Sequence, residues 1–180
     1  MLALNKEKTS LIKNSNLKYL TSCNDLDFYE FKTSLFNYFA INMAYYEKLF
    51  SRRIRETMDY IKGGYHVVYI ARKDILLGYG IVVKGGGRYK FCTKRDNVIC
   101  SLWVQPEFRG KGYLNTLLTV LSDKKIFSCD NFYEYIAHNN IASIKGAERN
   151  NFRKISNAEY VGIFHNVKTN SDGHLGIYKK

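Results

Sequence analysis

The hydrophobic positions of this chain change period at Gly63-Gly64. From Asp25 to Ile61 they follow a helical spacing. Phe28, Phe31, Leu35, Phe36 and Phe39 recur three and four apart, and Ile54, Met58 and Ile61 continue a second stripe. The glycine pair stops that pattern. The first twenty residues are polar and lysine-containing, and they read as a strand or a loose arm. Beyond Gly64 β-branched and aromatic residues dominate. "YHVVYIARKDILLGYGIVVKGGGRYKF" reads as two strands joined by a turn near Arg72–Asp74, punctuated by Gly85-Gly86-Gly87.

Asn97–Val104 is apolar enough for a central strand. Gly112 to Lys124 reads as a helix with Leu114, Leu117, Leu118 and Leu121 on one face. Asn131–His138 is another strand, and Asn140 to about Asn150 another helix. "AEYVGIFHNV" and "HLGIYKK" read as two strands joined by a turn at Asn170–Gly173. No internal repeat is visible. The order predicts a mixed α/β domain without the regular alternation of a doubly wound sheet.

Composition narrows the picture. A chain of 180 residues suits one domain with a substantial core, and a single proline argues against a long linker. No run of about 18 apolar residues predicts a transmembrane helix, and MLALNKEKTS lacks the apolar centre of a signal peptide, so a cytoplasmic location is expected. Cys23, Cys92, Cys100 and Cys129 form no CxxC pair, and His66, His138, His165 and His174 no HxxxH spacing. No metal site is expected, and the cysteines read as buried, reduced thiols. The formal charge of +12 favours an anionic partner: nucleic acid, a membrane surface, or a phosphorylated cofactor or substrate. The basic residues are scattered, with small clusters at Arg52-Arg53-Arg55 and Lys94-Arg95, each readable as solvated surface. No helix-turn-helix or RNA-recognition signature supports nucleic acid.

The segment "VQPEFRGKGYLNTLL", Val104–Leu118, carries the most specific chemistry. An apolar strand ends at Pro106, and Arg109-Gly110-Lys111-Gly112 leads into a helix. The phosphate-loop pattern GxxxxGK[ST] and the dinucleotide pattern GxGxxG are both absent. What remains is a glycine turn whose outward N–H groups, with the helix dipole, suit an anion. Gly110 and Gly112 permit close backbone approach, and Arg109 and Lys111 add charge. A plain strand-to-helix turn with solvated cations is the other reading.

"LWVQPEFRGKGYLNTLL" resembles the acetyl-CoA-binding segment of the GCN5-related N-acetyltransferase superfamily, a strand followed by Q/R-x-x-G-x-G/A and a helix. Arg109 takes the Q/R position, Gly112 the first Gly, and Leu114 stands where the family has Gly or Ala. A second motif, N-x-x-[AS] in the next helix, is matched by Asn140 and Ser143. Phe152 stands at the family Phe, with Asn151 at the preceding Gly, where Asn can also adopt a left-handed cap. The resemblance covers residues 65–180.

It implies a splayed mixed sheet flanked by helices, with an acyl-CoA cleft between Asn97–Val104 and Asn131–His138. It implies one domain over residues 1–180, with a helical acceptor-side part at 1–64 and an acetyl-CoA-binding core at 65–180. Leu102 and Val104 would pair with the pantetheine arm, and the Val104 amide would polarise the thioester carbonyl. The amides of Gly110, Lys111, Gly112, Tyr113, Leu114 and Asn115 would hold the pyrophosphate. Asn140 would contact the cofactor, or cap its helix, or both.

The reaction implied is direct attack of an amine on acetyl-CoA in a ternary complex. The family's general-acid Tyr position, seven residues after the motif Asn, is Ala147 here. Tyr113, Tyr133 and Tyr135 are substitutes on neighbouring elements, and His138 has a suitable intrinsic pKa. Tyr135 and His138 are the catalytic candidates beside Val104, each also readable as structural. For a base the candidates are Asp96 and Glu134. Cys100 and Ser101 lie within the central strand, where alternation lets only one face the cleft, and an acyl-Cys100 route competes with an ordinary buried thiol. Acceptor contacts would come from the N-terminal part and the Gly85–Asn97 segment. The expected acceptor is a small amine or amino sugar, and the basic charge suits an anionic one. A protein or peptide amine, or a catalytically silent CoA-binding module, are the alternatives. A homodimer remains open, and a membrane partner is not expected.

Overall fold

The computed structural model of the protein describes residues 17–32, 64–73, 75–163 and 165–180. Leu35, Phe36, Phe39, Ile54, Met58, Ile61 and the Arg52-Arg53-Arg55 cluster lie outside the described residues. Within them, nine strands form one mixed sheet: β1 Lys18–Cys23, β2 Leu26–Lys32, β3 Tyr65–Arg72, β4 Ile75–Lys84, β5 Asn97–Val104, β6 Phe132–Ala137, β7 Arg153–Val161, β8 Asn166–Thr169 and β9 Leu175–Lys179. Helix α1, Tyr113–Leu121, connects β5 to β6, and α2, Ile141–Arg149, connects β6 to β7. The strand order is β1-β2-β3-β4-β5-β6-β9-β7-β8. Every neighbouring pair is antiparallel except β5 and β6.

Three expectations need correction. The segment from Asp25 does not begin a helix. Asn24 and Asp25 both have positive φ, 50° and 61°, and make the two-residue turn of a β1–β2 hairpin. Phe28 and Phe31, three apart, then point to opposite faces of β2: Phe28 joins one core cluster and Phe31 the other. The second correction concerns Ala158–Val167. It is not one strand but the β7–β8 hairpin, broken at Gly162 (φ 70°), and β7 begins earlier, at Arg153. β7 therefore lies between β8 and β9. Cys23 is exposed and the other three cysteines are half-buried, and none of the four is in a disulfide, so the thiols are less buried than their composition suggests.

The sheet has two packed faces. Leu117, Leu118, Val120 and Leu121 of α1, with Ala147 of α2, pack on Val68, Ile70, Leu77, Val82, Ile99, Phe132 and Ile136. This is the helix face. The far face is built from Val67, Tyr69, Tyr79, Ile81, Val98, Tyr133 and Ile177. There the connector after β4 turns back on the end of the sheet. The Val167 N–H of β8 donates to the Arg88 carbonyl at 2.8 Å, and the Lys90 N–H to the Val167 carbonyl at 3.0 Å. Tyr89 between them is almost wholly buried. β8 thus gains a partner on the side where an edge strand would be unpaired.

β5 and β6 pair only through Asn97↔Phe132, Val98↔Tyr133 and Ile99↔Glu134. Beyond Ile99 and Glu134 they run on to Val104 and Ala137 without pairing. Two devices set this fork. At the closed end, buried Asp96 accepts hydrogen bonds from the Asn131 side-chain amide (2.7 Å) and from the Thr93 N–H and hydroxyl (both 2.8 Å). The Asn97 N–H also donates to the Asn131 carbonyl at 3.0 Å. At the open end β5 bulges. Its register on β4 jumps from Ile81↔Cys100 to Tyr79↔Trp103, and Ser101 has φ 54°. Ile99 and Leu102 consequently share the helix face, while Cys100 and Trp103 share the far face. Gly80, opposite the bulge, leaves room for Leu102 and Leu121, whose methyl groups a Cβ would overlap.

Burial raises the Asp96 carboxyl, but the bonds from Asn131 and Thr93 outweigh it and hold the group below 3.8. A depressed folded-state value gives stability that is present above the unfolded pKa and lost as pH falls through the folded one. Asp96→Ala is therefore expected to lower the unfolding free energy by about 1–3 kcal/mol at neutral pH. Urea titrations of both proteins at pH 7 and at pH 3 test this, and the gap should narrow in acid.

Candidate active site

Parallel strands bring their C-terminal ends to one edge of the sheet, and here both are followed by helices. The N-termini of α1 and α2 therefore stand at the open end of the fork. Backbone groups alternate along a strand. The Gln105 N–H donates toward β4, to the Leu77 carbonyl at 2.8 Å, and the buried Gln105 side chain bonds the Leu76 carbonyl on the same side. The N–H and carbonyl of Val104 therefore face the other way, into the fork, and those of Leu102, two residues back, face with them. The Val104 carbonyl is already engaged: Arg109 Nε donates to it at 3.0 Å. Its N–H stays available along the parted edge.

Pro106–Phe108 forms a single 3-10 turn after β5. Gly110 and Gly112 follow with φ of 78° and 83°, both exposed, with nothing within 4 Å of where a Cβ would sit. Gly112 caps α1 without any side-chain bond. The first N–H groups of a helix have no intrahelical acceptor. The Asn115 N–H is an exception, taken at 3.0 Å by the Gly112 carbonyl, so it drops out of the expected set of anion donors. The turn amides and those of Tyr113 and Leu114 are the ones the geometry offers.

Lys111 is exposed with its Nζ 5.5 Å from the Phe108 ring centre, and Arg72 lies 5.6 Å over the Tyr113 ring. Leu114 fits because α2 presents Gly146 to it: a Cβ there would be 3.0 Å from Leu114 Cδ2. A glycine inside a helix costs about 1 kcal/mol relative to Ala, and here it admits a bulky neighbour.

Asn140 is the N-cap of α2, its Oδ1 accepting from the Ser143 N–H at 3.2 Å. At the other end Asn151 has φ 65°, the Phe152 N–H donates to the Ala147 carbonyl at 3.0 Å, and the Asn151 N–H to Glu148 at 3.0 Å. This is a Schellman closure with Asn in the usual glycine place.

The remaining candidates separate by face. Tyr135 lies on the far face, 5.9 Å from the Tyr89 ring and 6.2 Å from that of Tyr160. Trp103 is on the same face across the fork, stacked at 5.5 Å on Tyr79. His138 is exposed just past β6, its N–H donating to the His174 carbonyl at 3.1 Å. Tyr133 pairs with Val98 at the closed end, and burial, then Asp96 and Cys92, raise its pKa. Asp96 is at that closed end too, fully hydrogen-bonded, and is not brought to the open fork. Cys100 is half-buried and packs on the far face, while Ser101 forms the bulge.

Glu134 is the residue whose setting the sequence reading did not resolve. It shares the helix face with Phe132 and Ile136 and is only 4 % exposed. Its Oε2 has no hydrogen-bond partner. Burial pushes its carboxyl up to about 8. The Phe132-x-Glu134-x-Ile136 alternation was the available signal. Among the described residues no group of three or more His, Cys, Asp or Glu could hold a metal ion. No helix among them is long and apolar enough to cross a membrane.

The family model described as the acetyltransferase (GNAT) family matches residues 30–152. No curated protein matches the sequence. Several solved structures share the fold. RimL, a ribosomal-protein alpha-N-acetyltransferase in apo form, is 14% identical with a TM-score of 0.60, covering 91% of this chain and 97% of its own. An N-acetyltransferase from Staphylococcus aureus Mu50 is 19% identical, TM-score 0.52, covering 81% and 87%. A ribosomal-protein-alanine N-acetyltransferase from Brucella melitensis is 21% identical, TM-score 0.51, covering 72% and 76%.

Two outcomes follow for stability. Asn140→Ala should cost about 0.5–2 kcal/mol through the lost cap, read as a lower midpoint in urea. Glu134 binds its proton more tightly in the folded than in the unfolded protein, so wild-type stability should fall as pH rises from about 4.5 to about 8. In Glu134→Gln that slope should be shallower, as thermal unfolding across the window will show.

Proposed function

Because the chain belongs to the acetyltransferase (GNAT) family and is an N-acetyltransferase by that membership, we propose that it moves an acetyl group from acetyl-CoA to the primary amine of a small molecule or amino sugar, by direct attack in a ternary complex. The observation that carries this is the backbone edge of β5 left free by the fork, ending in a basic glycine turn at a helix N-terminus. The residues present fit acetyl-CoA on both counts. An extended amide chain can add to the edge at Leu102 and Val104 as a further strand. A pyrophosphate suits the amides of Gly110 to Leu114, beside Arg109 and Lys111. The donor supplies an activated acyl carbon, and the Val104 N–H would polarise its carbonyl.

The amine reaches the same point from the far face. Trp103 and Tyr135 stand on either side of the parted strands there, and aromatic faces suit a sugar ring or an ammonium group. Tyr135 orients the acceptor in this reading. His138, exposed at the open end, passes the amine's proton to solvent. Asn140 and Ser143 act by holding the start of α2 beside the cofactor rather than by contacting it.

Calorimetric titration with acetyl-CoA and with CoA at moderate salt should give micromolar binding for both, followed by thiol release with a small amine acceptor. Gly112→Asp keeps a residue type that tolerates a left-handed backbone and adds a charge where the pyrophosphate would lie. It should weaken both ligands at least about tenfold. A folded wild type that binds neither overturns the proposal.

A further inference from the structure

An acceptor arriving from the far face has to bring its nitrogen to the height of the Val104 N–H, so the residues that hold it stand near that height. The register tells which do. β5 and β6 are last paired at Ile99 and Glu134. From there Val104 is five residues on, one of them absorbed by the bulge, and His138 is four residues on. The two are therefore level along the strands. The His138 N–H donates to the His174 carbonyl at 3.1 Å, which carries the same height across to the start of β9. The His174 ring lies 5.7 Å from that of Tyr160.

Tyr160 lies on β7 opposite Val167 and two residues beyond Ala158, both of which are buried in the far-face core. By alternation it shares their face. It is not itself part of that core, and it is 43 % exposed. Among the described residues its ring is nevertheless held by three others: His174, His165 at 5.6 Å, and Tyr135 edge-on at 6.2 Å. His165 reaches it from an uncommon backbone position, φ 47°, fixed by its N–H donating to the Gly162 carbonyl at 3.0 Å. Such a conformation costs free energy and persists where the surroundings impose it. A single exposed apolar residue is ordinary. An exposed aromatic ring fixed by three others, level with the open end of the fork, is a surface set up for contact.

We propose that Tyr160 selects the acceptor, its face taking the ring of an amino sugar whose hydroxyl groups meet His165 and His174. The inference rests on the acetyl-transfer reading above and narrows its acceptor to amines carried on a sugar ring. A pyranose lays its C–H bonds on an aromatic face and keeps its hydroxyls for polar partners at the rim. Imidazole nitrogens can donate to or accept from such hydroxyls. An open-chain amine gains less from the same face, because it offers no flat surface and loses more rotational freedom on binding. A second ammonium group is also poorly served. Glu159, the neighbouring acid on β7, alternates to the opposite face of the sheet.

The test compares glucosamine with its open-chain reduced form, 2-amino-2-deoxyglucitol, which keeps the amine and hydroxyls but has no ring. Each is titrated calorimetrically into CoA-saturated protein. Wild type should bind glucosamine at least about fivefold more tightly than the open-chain amine. Tyr160→Ala should lose that preference, and Tyr160→Phe, which keeps the aromatic face, should retain it. Both variants should bind acetyl-CoA within about threefold of wild type, because the ring lies away from the glycine turn. If the Ala variant does not fold, Tyr160→Thr, a good strand former, serves instead. No preference in wild type, an unchanged preference in Tyr160→Ala, or no binding of glucosamine to CoA-saturated protein overturns the role of Tyr160 and leaves the acetyl-CoA reading standing. Folded wild type that binds neither CoA nor acetyl-CoA overturns both.

Discussion

One parallel strand pair, tied at one end and parted at the other, governs this molecule. A parallel pair requires a crossover, and α1 supplies it. The buried Asp96 carboxylate draws Thr93 and Asn131 together, fixing the starts of β5 and β6. The extra residue at Ser101 then bends β5 where pairing with β6 would otherwise continue. A sheet normally satisfies its backbone groups by pairing, so a parted interior edge is a deficit. It becomes tolerable where an extended ligand completes it, as the proposed acetyl-CoA complex would.

The edges of the sheet show the opposite treatment. β8 would be an edge strand, yet the Arg88–Lys90 connector bonds to it and buries Tyr89 behind it. The segment expected from sequence to meet the acceptor is thus first a structural strap. It contributes rings to the far face, with the Arg88 guanidinium 4.6 Å over Tyr89: Tyr89 touches Phe91 and Tyr135, and Phe91 touches Tyr133. The two faces of the fork differ in kind. Cations and free amides gather at the helix N-termini, while aromatic surface dominates the far side. On the proposed function, that asymmetry would let a polyanionic donor and an amine approach one carbon without competing for the same contacts.

Much of this was legible in sequence because it is written in local chemistry. Strand β5 was expected over Asn97–Val104 and occupies those residues, because an unbroken apolar run ends at a proline. Asn151 is a residue able to take the left-handed cap at the family's Gly position, and it does. The failures share a cause: periodicity cannot tell which elements a residue will meet. Phe28 and Phe31 fit a helical spacing, but on a strand buried on both faces the same residues serve two cores. The bulge at Ser101 left no mark, since a serine with positive φ is imposed by tertiary packing rather than preferred. Leu114 looked misplaced in its helix turn until Gly146 appeared opposite, a pairing between residues far apart in the chain.

Glu134 makes the same point in energetic form. A glutamate within an apolar strand pattern reads as solvent-facing, because burying a carboxyl without partners is expensive. The register places it inward, between Ile99 and Tyr178. A Leu would fill that space at less cost, so packing alone gives no reason for the carboxyl. The burial that makes it expensive also keeps it protonated in neutral solution. The same desolvation therefore costs stability and fixes the protonation state of the side chain.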